Sequence, residues 1–348
     1  MQRKNNSTSQ RKKEHLELCL TDEVSFKYKT NGFENYEFKN CAITEVEISR
    51  IDFKTDFFSK KINFPFLISC MTGGVTEAEN INAKLSAAAN ELNIPLGVGS
   101  QRQALENDQF HKSYKVIRKN APKIPVLGNI GASQIVQFKT FDKLKFLVDL
   151  VEADGMVIHA NPAQELMQNK GEPNFKGLLK AIEKLAKYLK VPIIVKEVGA
   201  GISKTTAEKL LNTGVKGIDV AGAGGTSWTG VEILRNHHLG KNDFWDWGLP
   251  TSYCIRTVSK LKNKFDFMLI GSGGIKNGFD IAKALALGAD MSASARVILQ
   301  ELNKNNAEGV IKLIEGWFDD VRRIMFLTGS QNISELRNNK LIRKEKLY

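Results

Sequence analysis

Residues 191–230, VPIIVKEVGAGISKTTAEKLLNTGVKGIDVAGAGGTSWTG, constrain this chain more than any other stretch. A β-branched run, 191–195, ends on two charges, Lys196 and Glu197, and passes into a glycine-rich turn. A helical pattern over 205–212 closes at Gly214, and a second short run, 216–220, opens into AGAGGTSW. Strand, helix, strand, with each strand ending in a polar glycine loop, describes two parallel strands joined by a crossover helix. In a closed (β/α)8 barrel the loops after the strands gather at one face, where ligands bind. Lys196 would then meet the site while its strand stays buried. The plainer reading is a lysine that snorkels from a strand end to water.

The same unit recurs along the chain. Segments 64–71, 94–102, 124–134 and 155–168 read as strands one to four with their loops. Segment 267–296 supplies strand seven, a glycine turn, a helix and strand eight. Helical spacing predicts helices over 77–92, 141–152, 175–189, 256–263 and 307–327. The count predicts a TIM (β/α)8 barrel over 61–335, after an N-terminal extension (1–60) and before a basic tail (336–348). The extension holds a helix start at 11–20 and then weakly alternating, extended arms. A long loop from Thr226 to about Pro250, carrying Trp228, Trp245, Trp247 and His237-His238, reads as a functional or covering segment.

The formal net charge of +12 admits anionic partners, and much of it sits at the ends: Arg3, Lys4, Arg11, Lys12 and Lys13, then Arg337, Lys340, Arg343, Lys344 and Lys346. RNA-binding surfaces interleave aromatics with such cations. These runs have almost none, which favours a small phosphorylated ligand over nucleic acid. No apolar run approaches the roughly 18 residues of a membrane span. The polar start lacks the apolar core of a signal peptide, so a cytoplasmic protein is expected. Cys19, Cys41, Cys70 and Cys254 form no CxxC pair and are expected reduced and buried.

Two strings carry chemistry. In IGSGGIKNG, Gly271, Gly273 and Gly274 let backbone N–H groups approach an anion at the start of a helix, a phosphate grip distinct from the GxGxxG fingerprint. In HANPAQE, His159, Asn161, Gln164 and Glu165 stand at and beyond a strand end. They suit acid–base work, or Mg²⁺ shared between one carboxylate and a substrate's phosphates, or merely a capped loop. No GxSxG elbow or HExxH string is present.

RKKEH, SCMTGG, GVGSQR, GNIGASQ, HANPAQELMQNKGEPNF, VKEVGAGIS, AGAGGTSW and GSGGIKNGFDIAKALALGAD occur in this order. Together they resemble the type 2, flavin-dependent isopentenyl diphosphate isomerases over nearly the whole chain. The resemblance implies a barrel holding FMN, with Mg²⁺, reduced by NADPH, which interconverts isopentenyl and dimethylallyl diphosphate by a 1,3-proton shift. It also implies a homo-oligomer, tetramer or octamer. FMN would be held by Met71, Thr72, Gly73, Ser100 and Asn129. Lys196 would lie at the pyrimidine edge, with Thr226, Gly273, Gly274, Ile275, Ser294 and Ala295 at the phosphate. Arg11, Lys12, Ser100, Gln101, Arg102, His159 and Asn161 would surround the substrate diphosphate. Gln164 would sit near the reacting carbons, with His159 and Lys196 also in catalytic positions, and Glu165 would ligate Mg²⁺. The chain departs from the family pattern at Asn169-Lys170, at Glu172 and in MSASAR, where Ser294 replaces a usual glycine. The rival on the same fold is an FMN oxidoreductase of the 2-hydroxy acid oxidase type, which wants a His base and an Arg carboxylate clamp.

Overall fold

Eight parallel strands close into a barrel in strict sequence order: β1 Phe66–Ile68, β2 Leu96–Gly97, β3 Val126–Gly131, β4 Gly155–His159, β5 Ile193–Lys196, β6 Gly217–Asp219, β7 Met268–Ser272 and β8 Met291–Ser294. The ring is completed where Ser294 of β8 registers with Ile68 of β1. The expected (β/α)8 barrel is therefore the architecture of this computed structural model, which describes residues 8–236, 242–338 and 340–347. Arg3, Lys4, His237 and His238 lie outside the described residues.

Strand order follows from burial on both sides. Leu67, Leu127, Val157, Ile194, Ile270 and Met291 pack inside the barrel, while their strand neighbours Phe66, Ile68, Met156, Ile158, Ile193 and Val195 face the helices. Short runs that are apolar on both faces suit a parallel sheet. A hairpin, Thr55–Phe57 paired with Lys60–Ile62, drives Phe57 and Ile62 into the end where the strands begin. Each such side chain contributes about 1.5–3 kcal/mol by leaving water. The opposite end is left to the loops.

Several expectations change in detail. The boundary drawn at residue 60 cuts that hairpin. The tail is no free appendage, because Leu341–Arg343 pairs antiparallel with Tyr36–Phe38 of the extension. The long loop after β6 contains a helix, Trp228–Arg235, capped by Ser227 Oγ accepting from the Gly230 N–H. The last helix spans Arg296–Leu327 and breaks at Asn305 and Asn306, whose backbones leave the helical region. The four cysteines are free thiols, but only Cys254 is fully buried.

Candidate active site

At the loop end lies a cavity of about 940 Å³, lined by loops from the barrel strands and by the N-terminal helix Thr8–Cys19. That is the upper range for small-molecule sites. Every residue expected at the site lines it except Gln101 and Gly271, and Gly271 faces Ile255, Ala284 and Ala289 instead of the cavity. Gln101 is corrected to a strut: fully buried, its Nε2 donates to the Leu147 carbonyl and its Oε1 accepts from the Asn129 N–H at 2.9 Å. The amide is used up between strands and turned away from the cavity.

One end is made of backbone. Gly273 and Gly274 follow β7 with φ of +104° and +71°, a region open to glycine and strained for other residues. A Cβ on Gly273 would strike the Gly222 carbonyl, and one on Gly274 would lie 2.5 Å from the Gly224 carbonyl. The loops after β6 and β7 are thus packed main chain against main chain. Thr251 Oγ1 donates to the Gly273 carbonyl, and Asn31 of the extension to that of Gly274. Ser294 Oγ donates to Ile275 O at 2.8 Å, so the departure at this position serves to tie β8 to the glycine loop. Beside it Arg296, which the sequence reading missed, donates one nitrogen to Ser25 Oγ, while its Nη1 is buried without a partner. An orphaned guanidinium nitrogen in the same cavity as a glycine cradle fits a phosphate.

The centre is formed by strand ends. Lys196, at the end of β5, is 9% exposed; its Nζ donates to the Glu197 carbonyl at 2.6 Å and lies 3.9 Å from Asp219 of β6. The Glu197 carboxylate instead caps its own turn, accepting from Val198, Gly199 and Ala200 N–H. On β3, Asn129 Nδ2 donates to the Val98 carbonyl, which directs Oδ1 toward His159 Nδ1 at 2.8 Å. His159 therefore carries its proton on Nδ1. Burial, then the nearby cations Lys196 and Lys12, bring its pKa down to about 4, so the ring is neutral at pH 7.

The other end is made of side chains. Lys12 Nζ donates to the carbonyls of Gly73 and Ser100, tying the N-terminal helix to the loops after β1 and β2. Burial, then Arg11 and Arg102, lower its pKa to about 7. Lys13, on the same helix, points outward to Glu77. Arg102 is held between Glu106 and Glu172, each at 3.0 Å. Glu172 is the residue at which the chain departs from the resembled pattern. Its other oxygen accepts from Gln134 and Gln137, and its N–H donates to Glu165 Oε2 at 2.8 Å. Asn161 Nδ2 donates to both Gln164 and Glu165, and its own Oδ1 is buried and unpartnered. One carboxylate with an orphaned amide oxygen beside it suits a hydrated Mg²⁺ shared with phosphate oxygens. No group of three or more acidic, His or Cys side chains able to hold a metal occurs among the described residues.

Behind this end lies a relay absent from the sequence reading. Glu232, fully buried on the helix Trp228–Arg235, accepts from Gln164 Nε2 at 3.1 Å and contacts His15 Nε2 at 2.8 Å and Arg235 at 2.6 Å. Arg235 also pairs with Glu14. Gln164 has both amide atoms engaged and is fixed in orientation. The available signal was an acid between Val231 and Ile233, a charge on an otherwise apolar helix face.

Comparison with known proteins completes the description. Residues 5–114 and 123–343 match the family model described as FMN-dependent dehydrogenase. The chain is 42% identical to an isopentenyl-diphosphate delta-isomerase of Pelodictyon phaeoclathratiforme, covering 98% of both chains. It is 43% identical to that of Chlorobium phaeovibrioides over the same shares, and 42% to that of a Nostoc over 95% of each. Among solved structures, a flavocytochrome b2 variant aligns with a TM-score of 0.70 at 20% identity, covering 95% of this chain and 82% of the other. A lactate oxidase of Pediococcus acidilactici aligns at 0.67 and 16%, covering 96% and 90%. These last two likenesses concern the fold alone.

Proposed function

Since the chain belongs to the isopentenyl-diphosphate delta-isomerases of the FMN-dependent type, on the barrel of the FMN-dependent dehydrogenases, we propose that this cavity interconverts isopentenyl and dimethylallyl diphosphate by a 1,3-allylic proton shift with FMN and Mg²⁺ bound. The observation that carries the reading is that one cavity has a glycine backbone cradle at one end and a group of cations around a carboxylate at the other. A backbone cradle at Gly273 and Gly274 with Arg296 suits the FMN phosphate. The cations Arg11, Lys12 and Arg102, set around Glu165, suit a diphosphate with Mg²⁺. Bound FMN, once reduced with NADPH as the reductant, supplies the acid–base groups for the proton shift.

The chain's own residues then divide the work. Thr226, Ile275, Ser294 and Ala295 complete the phosphate end, and Met71, Thr72, Gly73, Ser100 and Asn129 border the ring. Lys196 would place a cation beside the ring. Glu165, with the Asn161 oxygen nearby, holds the metal on the diphosphate. Arg11 and Arg102 bind the diphosphate through charge-assisted hydrogen bonds. His159, neutral in the free protein, can accept at Nε2, and it takes a proton to donate to a phosphate oxygen. Gln164, locked between Asn161 and Glu232, orients the hydrocarbon. Binding the remote diphosphate tightly fixes a five-carbon group that offers little to grip. Homo-oligomeric assembly and a cytoplasmic setting remain part of this reading.

The test uses the purified flavoprotein with Mg²⁺ in deuterated water. After anaerobic dithionite reduction, isopentenyl diphosphate should convert to dimethylallyl diphosphate with solvent deuterium at the allylic carbons, followed by proton NMR. A protein that binds no flavin, or a reduced flavoprotein that leaves the substrate unchanged, overturns the proposal.

A further inference from the structure

We propose that Asp219 is a positioning residue for the flavin ring: it holds the Lys196 ammonium in place as half of a buried ion pair, and its charge opposes the lysine's stabilisation of the reduced ring. The inference rests on the placement of Lys196 beside the ring.

The pair is built by strand register. Lys196 and Asp219 are direct partners on β5 and β6, and Asp219 registers with Ile270 on β7, two residues before Ser272. Asp219 is 1% exposed and lies behind the cavity wall, whereas Lys196, Ala221 and Ser272 line the cavity. Its Oδ1 accepts from Ser272 Oγ at 2.5 Å and from the Ala221 N–H at 3.3 Å, and Oδ2 faces Lys196 Nζ at 3.9 Å. Burial pushes the Asp219 carboxyl up, and Lys196, the Ser272 hydroxyl and the Ala221 N–H act against that; two donors and a cation are the surroundings that suit a carboxylate anion. Among the described residues no other carboxylate comes within 4.0 Å of Lys196. Glu197 is spent on its own turn. Cys70 stands near both charges, but burial pushes its thiol up to about 12 and keeps it neutral. Of the three Lys196 N–H groups, one goes to the Glu197 carbonyl and one faces Asp219. The third is left for the ring.

A buried pair behaves differently when one partner is removed than when both are. Asp219→Asn keeps the size and the Ser272 contact but frees the lysine charge, so the reduction potential of bound FMN should rise. Lys196→Met should lower it. The expected displacement is at least tenfold in the oxidised-to-reduced ratio, about 30 mV for the two-electron couple, in opposite directions, read by titration against a reference dye. If Lys196→Met leaves the potential unmoved, the placement of Lys196 at the ring fails. If Lys196→Met lowers it while Asp219→Asn leaves it unmoved or lowers it, the role of Asp219 is overturned. Should Asp219→Asn lose its flavin, melting temperatures of both single variants and the double variant decide. The double variant should melt above Asp219→Asn alone, because the unpaired buried cation is gone. Additive losses would sink the pair.

Discussion

The two ends of the cavity, each proposed to hold phosphate, are built by opposite means. At the glycine end the wall is main chain of two loops that touch each other directly, with Arg296 and Lys276 among the cations that line the cavity. At the cation end it is long side chains from two distant segments, Arg11 and Lys12 on the N-terminal helix and Arg102 after β2, with Lys12 and Arg102 kept in place by Glu106, Glu172 and the carbonyls of Gly73 and Ser100. A backbone cradle is rigid and largely indifferent to pH. Paired side chains can be retuned one at a time, which suits a substrate that must come and go while the cofactor stays.

That contrast can be broken most severely at the glycine end. Gly273→Ala puts a methyl group into the Gly222 carbonyl at a left-handed backbone position, and either loop must move. FMN affinity should fall on the order of hundredfold or more, measured by flavin fluorescence on titrating the apoprotein. Retained yellow colour after dialysis would show that the cradle is not where the phosphate binds.

Glu165→Gln tests the other end at its metal. The variant should keep FMN yet lose turnover, with excess Mg²⁺ recovering little, because a ligand charge is gone. Loss on the order of tenfold to a hundredfold is expected. A near wild-type rate would return Glu165 to a loop-capping role.

Arg11→Ala should raise KM for the diphosphate about tenfold, the value of one charge-assisted hydrogen bond, with little change in melting temperature or FMN affinity. Unchanged kinetics would remove the N-terminal helix from the substrate site.

The smallest effect concerns pH. Lys12 has a pKa lowered to about 7, so it is charged below that pH and increasingly neutral above it. Since the charged form both anchors the helix and attracts the anion, substrate affinity should weaken as pH rises past 7, by at most about tenfold per unit. Lys12→Arg, which stays charged, should flatten the profile. FMN affinity at the backbone end should not follow it.

The glycine end was largely legible in the sequence because glycine marks where main chain must approach something closely, and the mark is local. Strand order, the helix over Thr76–Leu92 and the Lys196 strand end were legible for the same reason: period and composition repeat within each unit. Gln101 misled, because its neighbours Ser100 and Arg102 do line the cavity and alternation along the chain does not say where a side chain finds its partner. Glu232 left only the faint signal of an acid on an apolar helix face, and Arg296 left none, because the fold alone buries Glu232 and the Arg296 Nη1 beside the site.

By itself the sequence determined the barrel, since apolar periodicity and glycine loops are written residue by residue, and its ordered motifs carried the resemblance to the family. Which charges pair was decided only by tertiary structure. Lys196 and Glu197 are adjacent in the chain, yet successive side chains on a strand diverge and Glu197 folds back on its own turn. The partner of Lys196 is Asp219, twenty-three residues on, delivered to the neighbouring strand end by the register of β5 with β6. In a low-dielectric interior such an ion pair depends on distance in space.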